Sequence, residues 1–160
     1  MNRRVVVTGT GVITPVGNDV QTYWKNILEG VCGIGVINSI PVDDLPVKIA
    51  GEVKDFNPAD YEIEAPFARK QDKFTVYAVA AAWQAVKESG ISSAEGGNID
   101  PLRFGVYVGS GIGGFTTQMR ETEKILNEGA KWVSPLFIPT MISNIAAGNI
   151  AIRNNACGPC

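Results

Sequence analysis

The chain has 160 residues, 45% of them hydrophobic, enough for one domain with a core. Its 14 basic and 16 acidic residues leave a net charge of -2, so no broad field recruits nucleic acid or an anionic membrane. Three cysteines argue against a disulfide framework, and the lack of histidine removes Ser-His and Cys-His dyads together with the commonest metal ligand.

The run Val5 to Val7 is too short for a signal-peptide core, and the longest apolar run, Val76 to Trp83, falls far short of a membrane span. A soluble cytoplasmic protein is expected. Arg4 to Thr8 reads as a strand buried on both faces of an α/β sheet, because it is a continuous β-branched run bounded by Gly9 and Gly11. Asn18 then reads as an N-cap, with Gln21 in the capping-box position. Val20, Tyr23, Trp24, Ile27 and Leu28 follow at helical spacing, and Gly30 ends that helix.

Val31 to Pro66 reads as a meandering connection with one short strand, Ile49 to Val53, and an acidic flank of Asp55, Asp60, Glu62 and Glu64 that is a solvated face. Arg69-Lys70-Gln71-Asp72-Lys73 opens a second helix. Two apolar stripes, one through Phe74, Tyr77, Ala78 and Ala81 and one through Val76, Val79, Ala80 and Trp83, make that helix a buried one with a basic exposed end.

Arg103 to Val108 reads as a second buried strand, followed by the loop Gly109-Ser110-Gly111-Ile112-Gly113-Gly114. From Phe115 a helix is expected, its apolar face formed by Met119, Thr122, Ile125 and Leu126, with Gly129 as the stop. Gly109, Gly111 and Gly114 fit the dinucleotide pattern G-x-G-x-x-G. That fingerprint needs an acidic residue about 20 positions on, at the end of a second strand. Glu121, Glu123 and Glu128 instead fall within the helix or at its end, so a strand-to-helix turn that needs small residues is the competing reading.

Trp132 to Pro139 is an apolar loop of the kind that lines an interface or pocket, and Thr140 is placed to cap a last helix, Met141 to Arg153. The chain finishes on Cys157-Gly158-Pro159-Cys160. A C-x-x-C suggests dithiol redox chemistry, but a reactive thiolate draws on the N-terminus of a following helix, and no helix follows here. Zinc would need two further ligands, with only Cys32 and carboxylates left to supply them. No metal and no cofactor is expected.

These segments together resemble the N-terminal part of a β-ketoacyl-acyl carrier protein synthase, a type II elongating condensing enzyme of the thiolase-like superfamily. The resemblance rests on Arg3 to Gly9 with Gly11, Pro15, Val16 and Gly17; on Ala50-Gly51 and Val53 to Phe56; on Arg69-Lys70 with Asp72 and Phe74; on Gly109 to Gly114; on Ser134-Pro135 with Phe137 and Pro139; and on Asn155-Ala156 with Gly158-Pro159-Cys160. It implies an α/β fold, the N-terminal part of a thiolase-like layered α/β/α/β/α architecture, with residues 1–160 as one incomplete domain. It also implies a homodimer that condenses acyl and malonyl groups, both carried by acyl carrier protein, in fatty acid biosynthesis.

The family's reaction needs a cysteine nucleophile, an oxyanion hole and two histidines. The resemblance puts that nucleophile roughly seven residues beyond Cys160, so neither Cys157 nor Cys160 is catalytic and the 160 residues alone are expected to be inactive. It places Ile112 in the acyl pocket and Phe137 at the substrate-side interface, and it assigns Arg69, Lys70 and Lys73 to the docking of carrier protein. A polyketide ketosynthase, a non-catalytic binding or dimerisation module, and a dithiol redox module are the alternatives.

Overall fold

A computed structural model describes residues 3–160. Helix α1 (Val20–Leu28) forms where the periodicity places it, but Asp19 rather than Asn18 caps it, accepting the Thr22 N–H at 2.8 Å. Asn18 is engaged elsewhere. Its amide donates to the Lys54 carbonyl at 2.7 Å, and its own carbonyl accepts from the Tyr61 hydroxyl at 2.7 Å and from the Gln84 amide at 3.0 Å.

Strands β1 (Ile34–Val36) and β2 (Ile49–Gly51) pair antiparallel with Gly35 opposite Ala50. The expected strand from Ile49 thus exists in shorter form, and the apolar residues from Ile34 supply its partner. The basic stretch does not open a single helix. Helix α2 (Ala65–Lys70) ends there, Gln71 and Asp72 are extended, and α3 (Lys73–Ser89) starts anew with Asp72 as its N-cap.

The core lies where α3 meets α6 (Ile145–Arg153). Val76, Val79 and Ala80 pack with Ala147, Ile150 and Ala151, and Tyr61, Ile63 and Val106 close the cluster. Alanines on both helices allow this approach because no long side chain holds the axes apart. An aromatic group extends the core outward: Phe56 stacks on Tyr61 at 5.4 Å between ring centres and meets Tyr77 edge-on at 4.9 Å. The N-terminal segment lies directly on α3. A Cβ on Gly11 would strike the Ala81 carbonyl, and the Gln84 amide grips the Val12 backbone at 2.9 Å, so glycine at this position has a packing cause.

The two expected core strands are not formed. Arg4 to Thr8 joins no ladder, and Val5, Val6 and Val7 are exposed. Residues 103–108 make only a short contact with the C-terminal segment: the Val106 N–H donates to the Pro159 carbonyl and the Gly158 N–H to the Phe104 carbonyl, both at 2.9 Å. A strand buried on both faces needs ladder partners and layers on either side, and the described residues supply neither.

Helix α4 (Phe115–Asn127) forms as expected, but its apolar face looks outward. Met119, Ile125 and Leu126 are exposed, and the buried residues are Thr117 and Glu121. The Thr117 backbone N–H bonds Asp72, and the Glu121 carboxylate accepts from the Ser134 N–H. Thr140 sits inside the short helix α5 (Phe137–Met141), where its hydroxyl bonds the Leu136 carbonyl, and Asn144 occupies the position before α6. The expected cap at Thr140 is therefore absent, because a separate turn of helix precedes the last one.

Candidate functional site

The loop from Gly109 to Gly114 is pinned at its C-terminal end. Gly113 has φ +79, and a Cβ there would collide with the Met141 carbonyl oxygen, while the Gly114 N–H donates to that same carbonyl at 2.8 Å. Gly109 and Gly111 face open space. The glycines that packing requires are therefore not the spacing of the dinucleotide pattern. The start of α4 is also already taken as an anion site, because the Asp72 carboxylate accepts the Thr117 N–H at 2.8 Å. Ile112 stands out from the loop, 67% exposed.

Phe137 opens α5 and is half-buried. The Met141 carbonyl at the far end of the same helix receives Gly114, so the structure brings the Ile112 loop and the Phe137 helix together. The stretch before α5 is fixed by Glu121, whose Oε2 accepts the Ser134 N–H at 2.9 Å and whose Oε1 meets Lys124 at 2.9 Å and Arg120 at 3.2 Å. The Ser134 N–H, then Lys124, hold this carboxyl at about 2, well below the ordinary 4.5.

Arg69 and Lys70 are exposed at the end of α2, and Lys73 is exposed at the start of α3. None of the three forms an ion pair among the described residues; Arg69 spends its Nε–H on the Ala65 carbonyl of its own helix at 3.2 Å. Lys73 lines a hollow of about 460 Å³ with Gln71, Tyr77 and Phe56. The sequence reading missed Asp72 and Glu121. Asp72 carried a signal, an aspartate just before a helical pattern, but Glu121 reads as one of several solvated charges on α4. Cys157 and Cys160 are free and exposed in the turn after α6. Among the described residues no group of three or more Cys, Asp or Glu side chains is placed to hold a metal ion, and no helix is long and apolar enough to cross a membrane.

A family model described as "Beta-ketoacyl synthase, N-terminal domain" matches residues 2–160. The chain belongs to the β-ketoacyl synthase family. The 3-oxoacyl-[acyl-carrier-protein] synthase 2 of Staphylococcus aureus (strain COL) is 43% identical over 158 residues, 99% of this chain and 37% of the relative. The enzyme of the same name from Vibrio harveyi is 41% identical over 157 residues, 98% of this chain and 37% of the relative. The chain thus spans little more than a third of the length of these relatives. Among solved structures, a ketosynthase of a type II polyketide synthase (PKS), in complex with its acyl-carrier protein and bound to the hexaketide, superposes with a TM-score of 0.78 at 28% identity, covering 98% of this chain and 40% of that one. The β-ketoacyl synthase chain therefore carries part of the layered α/β fold of that family.

Proposed function

We propose that residues 1–160 act as the N-terminal domain of a cytoplasmic, homodimeric 3-oxoacyl-acyl carrier protein synthase of fatty acid biosynthesis. In that reaction a cysteine thiolate takes the acyl chain from carrier protein, forming an enzyme thioester and releasing the carrier thiol. Malonyl carrier protein then loses carbon dioxide, and the resulting enolate carbon attacks the thioester carbonyl and expels the thiolate. The 160 residues contain no histidine for the decarboxylation, and their cysteines are not read as the nucleophile, so the part proposed for them is recognition rather than bond making. Arg69 and Lys70, with Lys73 beside them, present cations to the acidic surface of acyl carrier protein, while Ile112 and Phe137 contribute apolar wall to the acyl pocket and substrate-side interface.

The observation that supports this reading most is the 43% identity to a 3-oxoacyl-[acyl-carrier-protein] synthase over 99% of the chain. Unpaired cations on an exposed helix end suit docking to an acidic partner, and an exposed isoleucine on a pinned loop suits a fixed apolar wall. The superposition on a type II PKS ketosynthase gives polyketide extension as a second reading. Incubating the full-length enzyme with acyl- and malonyl-carrier protein, and analysing the product by mass spectrometry, separates the two. Fatty acid elongation predicts carbon dioxide release and one extension of each acyl chain. Repeated extension of the same chain would favour the polyketide reading, and no carbon dioxide release would contradict both.

A further inference from the structure

The Asp72 carboxylate serves two helices. Oδ1 faces the Phe74 N–H at 3.5 Å, a long cap on α3, and Oδ2 accepts the Thr117 N–H at 2.8 Å in the first turn of α4. The shorter bond is thus the one that reaches 45 residues along the chain, whereas a helix cap alone would need only the local one. Asp72 is 7% exposed and Thr117 is 3% exposed, so water does not compete for this bond. Two helix N-termini converge on one carboxylate, whose two oxygens match two donors and whose charge suits the positive end of both helices.

The glycine loop ends against this junction. A Cβ on Gly114 would lie 2.9 Å from the Met141 Cα and 3.2 Å from the Asp72 Cβ, and the Gly114 N–H is held by the Met141 carbonyl. The loop's exit is therefore fixed between α3 and α5, two residues after Ile112. We propose that Asp72 is a positioning residue that sets where the loop 109–114 stands on α3, and through Ile112 sets the acyl chain-length selectivity of the enzyme. This rests on the reading of Ile112 as acyl-pocket wall.

The test compares Asp72→Ser with Asp72→Ala in the full-length enzyme. Serine keeps a short cap for α3 but cannot reach Thr117; alanine loses both bonds. The expected result is that Asp72→Ser, less stable than wild type because the buried Thr117 N–H loses its acceptor, changes the ratio of kcat/KM for a long over a short acyl donor by about fivefold or more, a change its stability does not predict. Combined with Ile112→Phe, the effect on that ratio is non-additive, because both substitutions act through one loop. Equal loss of kcat/KM for every donor in Asp72→Ser, or strict additivity with Ile112→Phe, would overturn the proposal. The pocket reading fails separately, when Ile112→Phe alone leaves the ratio unchanged. Should both serine and alanine variants lose stability together and rank by stability alone at every chain length, Asp72 is only a cap and the proposal is wrong.

Discussion

The Glu121 carboxylate accepts the Ser134 N–H at 2.9 Å, which fastens the segment leading to Phe137 onto the inner side of α4. Glu121 is 1% exposed, yet it stays ionised, because one backbone N–H and two cations face its oxygens. This bond explains why α4 turns its apolar stripe outward: the side with the buried carboxylate has to face the chain that satisfies it.

Acid should weaken this fastening. The folded-state value of Glu121, about 2, lies below the ordinary 4.5, so its contribution to stability is fully present above about 4.5 and is lost as pH falls toward 2. Glu121→Gln keeps the shape without the charge and is less stable than wild type at neutral pH. Thermal unfolding of both proteins from pH 7 downward should show the gap in Tm narrowing once pH passes below about 4.5. A gap independent of pH would show that the carboxylate's charge contributes nothing.

What was legible in the sequence was local. The spacing from Val20 to Leu28, the apolar run from Phe74 and the helix after the glycine loop all form, since a helix closes its hydrogen bonds within itself. Cap identity failed at Asn18, whose side chain is drawn to Lys54, 36 residues away. The runs at Arg4 and Arg103 have strand composition, but a ladder depends on distant partners that composition does not name. The outward apolar face of α4 failed for a related reason, because periodicity identifies an apolar stripe without saying what covers it. The basic stretch and the glycine loop stand out in the sequence; that Asp72 bonds the first turn of α4 and that Glu121 bonds the Ser134 segment does not, because these bonds reach across 45 and 13 residues.

Charge reversal of Arg69→Glu with Lys70→Glu should weaken docking while leaving unfolding nearly unchanged, because exposed unpaired charges steer association more than they stabilise a fold. Steady-state kinetics of the full-length enzyme with carrier-bound substrates should show kcat/KM reduced about tenfold or more at low salt, with a smaller loss as salt screens the interaction. Equal efficiency at low salt would make this helix end a solvated face.

The 160 residues on their own should be poorly stable and prone to associate. Val5 is 91% exposed, Val7 83% and Tyr107 82%, in segments whose composition is that of core strands. Unpaired extended segments and uncovered apolar side chains favour contact with other chains. Size-exclusion chromatography and urea unfolding followed by circular dichroism provide the check. A monodisperse monomer with one cooperative transition and a stability of roughly 5 kcal/mol or more would show a self-sufficient domain instead.

The most direct measurement is the acyl chain-length profile of Ile112→Phe in the full-length enzyme. The loop on which it sits is held at Gly113 and Gly114 by Met141, and a bulkier ring that overpacks an acyl pocket costs about 1 to 3 kcal/mol. The expected result is a loss of kcat/KM that grows with acyl chain length, long donors falling well below short ones. An unchanged profile would contradict the account, since Ile112 would then not touch the acyl chain.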